Sequence, residues 1–274
     1  GHDIHADNKL SQMTQLVPDE PAGWANWGVL ALRQRNYEAA TERFEKARNL
    51  APDNDQINYL IGLLESSRGR QAEAIAALRR SIQLNPQNLI AAYQLAQEVE
   101  RESGESSAVE FEQLISQILR AQPANLAALL ELARSAAKRN DAIKTRETLA
   151  QISAQSSSWP TEVQDQLKAA NNAAASPDPA AVATRIVFLR NVLVRVPKYR
   201  QDLAAIKPPP GEEATPFVKF LRLEPPTFSP AAPDTALSFD SKSVPEFPTD
   251  GWTWAGAISL GVSGPPTVAL ANGR

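Results

Sequence analysis

Histidine is the side chain most often recruited for metal binding and proton transfer near neutral pH. This sequence has two, His2 and His5, three residues apart at the start of the chain. On a helix that spacing puts both rings on one face, as a two-point metal site requires. They are the only histidines and sit at a tag-like junction, where the chain opens on Gly1-His2 rather than on Met. The sequence contains no Cys, so thiol nucleophiles, cysteine-ligated zinc and disulfide staples are excluded. Gly261-Val-Ser-Gly264 lacks the Lys and the strand–turn–helix context of a phosphate loop. Carboxylates are plentiful, but most stand four residues from a Lys or Arg on a helix face, as Glu42 and Lys46 do, which is the pattern of solvated pairing. No catalytic residue, metal site or cofactor is assigned, and the expectation is a protein that is not an enzyme.

The charge balance of 28 Lys+Arg against 31 Asp+Glu gives −3 with a pI near 5.6. That leaves no polycationic field of the kind that holds a phosphate backbone, so a nucleic-acid partner is not expected. Basic residues do concentrate in one place: Arg185, Arg190, Arg195, Lys198 and Arg200 occur without an acid between them, beside a strongly apolar stripe. One reading is a helix in peripheral contact with an anionic membrane or an acidic partner. The reading adopted is a capping helix with its apolar face inward and its basic face in water, ended by Pro197 before a short Tyr199–Ile206 turn. The longest mostly apolar stretch, Trp252–Val262, has 11 residues, against about 20 for a bilayer span.

The elements that carry these residues divide into two parts. Residues 1–206 hold 9 of the prolines and 47 charged residues, and residues 207–274 hold 12 of each. Upstream, apolar residues recur three and four apart in Ala/Leu/Glu/Arg-rich stretches, the periodicity of amphipathic helices. Downstream, Pro and Gly make up 18 of 68 residues, a density that forbids sustained helix. Within the helical part, Pro18, Pro52 and Pro86 are 34 residues apart twice over. Shifting Trp24, Trp27, Gly28, Ala40, Phe44 and Ala47 by the same 34 gives Asn58, Ile61, Gly62, Ala74, Leu78 and Ser81, so the small residues recur in place.

This spacing resembles the tetratricopeptide repeat, in which each unit is a pair of antiparallel helices and successive pairs stack. The resemblance implies an all-α fold: a right-handed superhelix of stacked antiparallel helix hairpins, with capping helices and a Pro-rich, mostly irregular C-terminal arm. The expected organisation is a partial repeat over 1–20, full repeats over 21–54, 55–88, 89–125 and 126–158, capping helices over 159–206 and an arm over 207–274. The third repeat is three residues longer than the first two, and the excess is placed near Ser103-Gly104-Glu105-Ser106, between its helices.

In such arrays the first helix of each pair lines the concave side, which implies a groove for a partner protein formed by Asn26, Arg33, Tyr59, Tyr93, Gln94, Gln97, Arg101, Glu131, Arg134 and Lys138. The clamp that some members use for acidic chaperone tails needs Lys and Asn where this chain has Ala25 and Val29. Phe217, Phe228, Phe239, Phe247, Trp252 and Trp254 mark the arm as one that docks on a surface. The function expected is a protein–protein interaction scaffold or assembly subunit. The alternative is the scaffold part of a larger secreted or periplasmic bacterial protein, since Trp252–Arg274 resembles the start of an integrin-like β-propeller.

Overall fold

The computed structural model describes residues 2–208, apart from 103 and 176–178. Among the described residues the backbone forms twelve helices and no strand. A lone α1 (His2–Leu16) precedes four helix pairs: α2 (Pro21–Arg33) with α3 (Tyr37–Leu50), α4 (Asp55–Ser67) with α5 (Gln71–Leu84), α6 (Leu89–Arg101) with α7 (Glu105–Ala121), and α8 (Leu126–Lys138) with α9 (Ala142–Ser153). Three more follow: α10 (Thr161–Ala175), α11 (Pro179–Leu193) and α12 (Pro197–Ile206). Each pair packs on itself and, through α3 on α4, α5 on α6 and α7 on α8, on the next. The result is one continuous apolar core running from Ala25 to Ile206. The Pro-rich arm beyond Pro208, its six aromatic residues and the propeller-like end lie outside the described residues.

Local chemistry sets these boundaries. The first helices of the pairs begin on side-chain caps: Glu20 accepts from Ala22 N, Asn54 from Gln56 N and Ile57 N, Asn88 from Ala91 N and Asn125 from Ala128 N. A cap of this kind satisfies amides that the first helical turn leaves without partners. Pro18, Pro52, Pro86 and Pro123 each stand two residues past the last helical residue, Leu16, Leu50, Leu84 and Ala121, where a ring without an N–H ends the ladder.

The tight turn within a pair needs one left-handed residue. Arg35, Gly69 and Asn140 fill it at φ 57°, 73° and 60°. The following amide then reaches back to the helix, Asn36 N to Ala31 O, Arg70 N to Glu65 O and Asp141 N to Ala136 O, each at 2.9 Å, closing the helix C-terminus with a Schellman motif.

Glycine acts differently inside the pairs. A Cβ on Gly28 would stand 2.5 Å from the Phe44 ring, and one on Gly62 would stand 2.6 Å from Leu78. Both partners are fully buried. The small residue on the first helix therefore makes room for a large one on the second, which lets the two axes approach.

Two expectations are corrected. The three extra residues of the third pair do not widen its turn: α3, α5 and α7 begin at 37, 71 and 105, still 34 apart, but α7 runs for 17 residues where α3 and α5 run for 14. Phe111, Leu114, Ile115 and Ile118 continue one buried stripe, so the insertion is absorbed as helix. Nor does Pro197 open a mere turn. It is the first residue of α12, a position where its fixed φ suits a helix and its missing N–H costs nothing.

The last helices also do more than cover an end. α10 packs on α9, but α11 packs back on α8, and α12 packs on α8 and α6. The C-terminal helices thus return along the first helices of the third and fourth pairs.

Candidate functional site

The face made by the first helices, α2, α4, α6 and α8, carries two adjoining clefts that share Gln97. The first, about 570 Å³, lies across α2, α4 and α6 and is bordered by the end of α12. Leu32, Leu63 and Ile90 supply its apolar part, and Ser66, Ser67, Gln94 and Gln97 its hydrogen-bonding groups. Its charged lining is Arg33, Arg35 and Lys207, with no acid. Arg33 and Arg35 are exposed and form no ion pair among the described residues.

Behind this cleft Glu98 is fully buried and ties the helices together. It accepts from Ser66 Oγ on α4 at 2.5 Å, from Gln94 Nε2 at 3.2 Å and from Arg101 Nη1 at 2.8 Å.

The second cleft, about 410 Å³, is lined by Tyr93, Glu100, Arg101, Phe111, Glu131, Arg134, Lys138 and Arg190. Its charges are largely satisfied internally. Arg134 grips both oxygens of Glu100 at 2.5 and 2.7 Å, donates from Nε to Glu131 at 2.7 Å, and lies 5.6 Å from the Phe111 ring centroid. Lys138 Nζ adds a 2.9 Å bond to Glu100. Burial alone would disfavour the Glu100 carboxylate, but the hydrogen bonds and charges of Arg134 and Lys138 overcome it and hold the group down at about 2. Burial pushes the Tyr93 phenol well above its ordinary range, and the negative field of Glu131 adds to the shift. Tyr199 is raised for the same two reasons.

A latch fixes α12 beside these clefts. Asp202 Oδ2 accepts from Leu126 N, the first amide of α8, at 2.7 Å, and Asn125 Nδ2 donates to the Asp202 carbonyl at 3.1 Å. Lys198 Nζ holds the same carboxylate at 2.8 Å. A carboxylate at a helix N-terminus meets unsatisfied N–H groups and the positive end of the helix dipole. Tyr199 and Ile206 are buried by this docking.

Eight of the ten groove residues expected from the sequence line the two clefts: Arg33, Gln94 and Gln97 the first, and Tyr93, Gln97, Arg101, Glu131, Arg134 and Lys138 the second. Asn26 and Tyr59 do not. Asn26 is buried with its amide donating to Ala22 O at 2.9 Å, and Tyr59 is 1 % exposed. α4 is flanked by α2, α3 and α5, so only residues near its C-terminal end, Leu63, Ser66 and Ser67, reach the cleft. Tyr93 presents no more than an edge, at 4 % exposure.

Residues 55–88, which hold α4, α5 and the caps at either end, match the tetratricopeptide repeat family model. The chain is a tetratricopeptide-repeat protein. Its repeat array has the fold of several solved structures at low identity. One is the Pseudomonas aeruginosa PilF structure (TM-score 0.51, 17% identity, covering 74% of this chain and 90% of that one). Another is YrrB, described as a tetratricopeptide-repeat protein with an unusual peptide-binding site (TM-score 0.50, 10% identity, 77% and 95%). A third is Naa15/Naa10 bound to HypK-THB (TM-score 0.50, 15% identity), where the match covers 73% of this chain and only 33% of that one. No curated protein sequence matches the chain.

Three features of the repeat array were not found from sequence: the Glu100–Arg134 pair, the buried Glu98 and the Asp202 latch. The first left a signal, since Glu100 and Arg134 are opposite charges 34 residues apart, one repeat length. The latch left none, because its partner is a backbone amide. Among the described residues no group of three or more His, Asp or Glu is arranged to hold a metal, and no helix is long and apolar enough to cross a membrane.

Proposed function

We propose that the chain is a non-catalytic protein–protein interaction scaffold that holds an extended segment of a partner protein in the open cleft across α2, α4 and α6. The observation that carries this reading is the lining of that cleft. It has an apolar part, amide and hydroxyl groups able to meet a peptide backbone, and three cations with no acid among them. Such a surface suits a segment with an apolar anchor and acidic side chains. The second cleft offers less, because most of its charges already satisfy one another. The reading is in keeping with the peptide-binding site of YrrB and with the partner-bound state of Naa15/Naa10.

The test is isolation of the chain's complex with wild-type protein, with Arg33→Glu/Arg35→Glu and with Arg48→Glu, a change at an exposed residue of α3. The partner is expected to be retained by wild type and Arg48→Glu and lost by the double variant. Retention by the double variant overturns the assignment of the cleft.

A further inference from the structure

The outward side of α11 is not explained by packing. Val182, Ile186, Leu189 and Leu193 are buried where the helix meets α8 and α10, which accounts for one stripe. Val187, Phe188 and Val194 are nevertheless 39%, 51% and 51% exposed. At about 100° per residue they fall on the opposite side. A capping helix facing water would carry polar residues there. None of these three lines either cleft of the inner face, so they stand on a ridge rather than in a groove.

The charge around that ridge has one sign. Residues 179–200 contain five cations and no acid. Arg195 is paired with Glu162 and Lys198 with Asp202. Arg185, Arg190 and Arg200 are exposed and form no ion pair among the described residues. On the helical wheel Arg185 and Arg190 fall on either side of the apolar stripe. The acids of the helices packed against α11 do not oppose them freely: Asp165 and Glu162 on α10 pair with Lys168 and Arg195, and Glu131 on α8 pairs with Arg134.

We propose that this face of α11 lies flat on an anionic lipid surface, with Phe188, Val187 and Val194 at the acyl boundary and Arg185 and Arg190 reaching sideways to lipid phosphates. Apolar side chains along a convex ridge, flanked by long cationic ones, fit a planar, deformable, negatively charged interface. An acidic protein would need a complementary concave apolar surface to cover the same ridge. The site is separate from the cleft assigned to a partner segment and does not depend on it.

The experiment is flotation of the full chain with phosphatidylcholine vesicles and with vesicles that also contain phosphatidylglycerol. Binding is expected only to the second, falling about five-fold for each of Arg185→Gln and Arg190→Gln. Phe188→Ser should weaken it as well, Arg185→Lys/Arg190→Lys should bind like wild type, and Arg33→Glu/Arg35→Glu should leave vesicle binding unchanged. Absence of binding to the anionic vesicles overturns the proposal. So does binding that none of the α11 variants weakens, which would place the contact elsewhere. Capture of polyglutamate through the same arginines, without vesicle binding, also overturns it and assigns the ridge to an acidic protein.

Discussion

The two halves of the inner face are built from equivalent helices yet are put to opposite uses. Across α2, α4 and α6 the cleft keeps Arg33 and Arg35 free of ion pairs. Across α6 and α8 the comparable positions are consumed: Arg134 is clamped by Glu100 and Glu131, and α12 is latched onto the start of α8. The same repeat geometry can therefore leave side chains free for a ligand or commit them to the chain's own stability. What decides is the presence of a complementary charge one repeat away and of a C-terminal segment that folds back. An arginine in the closed half is a structural part, and one in the open half is available.

The sharpest way to break this contrast is to remove an arginine from each half. Arg134→Ala leaves Glu100 and Glu131 partly buried without their shared partner and is expected to cost about 3 kcal/mol in urea unfolding. Arg33→Ala should stay within about 0.5 kcal/mol of wild type. Equal costs would show that the halves do not differ. Next in size is the latch. Asp202→Ala should cost about 2 kcal/mol and should raise amide exchange in α12 before that in α4 or α5; unchanged exchange in α12 would mean that its apolar contacts alone hold it.

A smaller effect follows from pH. The Glu100 carboxyl is depressed in the folded protein to about 2 from its ordinary 4.5. Its contribution is therefore complete above about pH 5 and is lost as pH falls toward 2. Because its side chain is one-third exposed, solvent screening reduces that contribution to about 1 kcal/mol. The stability gap between wild type and Glu100→Gln should narrow as pH falls, and a constant gap would contradict the pairing. The smallest change is in the open half, where Arg35 occupies a left-handed turn position that Gly69 fills in the next repeat. Arg35→Gly should raise stability by about 0.5 kcal/mol, read as a small increase in Tm.

Much of the fold was legible because repeat chemistry is periodic. Prolines at 18, 52 and 86, and glycines at 28 and 62 facing Phe44 and Leu78, reflect steric needs that recur with each helix pair. Periodicity failed where a position's surroundings were not periodic. Tyr59 and Tyr93 occupy equivalent positions, yet Tyr59 is closed off in mid-array while Tyr93 edges a cleft. The inner positions of a helix wheel cannot tell which of them a neighbour will cover. Pro197 was misread for a related reason: the same residue ends one helix and begins another, and only the docking of Tyr199 and Ile206 decides between them. Asp202 gave no sign at all, since a carboxylate on a short helix looks like any solvated acid until a free amide is placed against it.

The lengthened α7 has a consequence for anything that reads the array along its length. Three additional helical residues add a rise of about 4.5 Å and a rotation of about 300°, inserted once, between the second and the fourth pair. A ligand whose own anchors recur at one fixed step would match the first two units and then fall out of phase. The array is in this sense a ruler with a single offset mark, suited to a short, unrepeated sequence rather than to a periodic one.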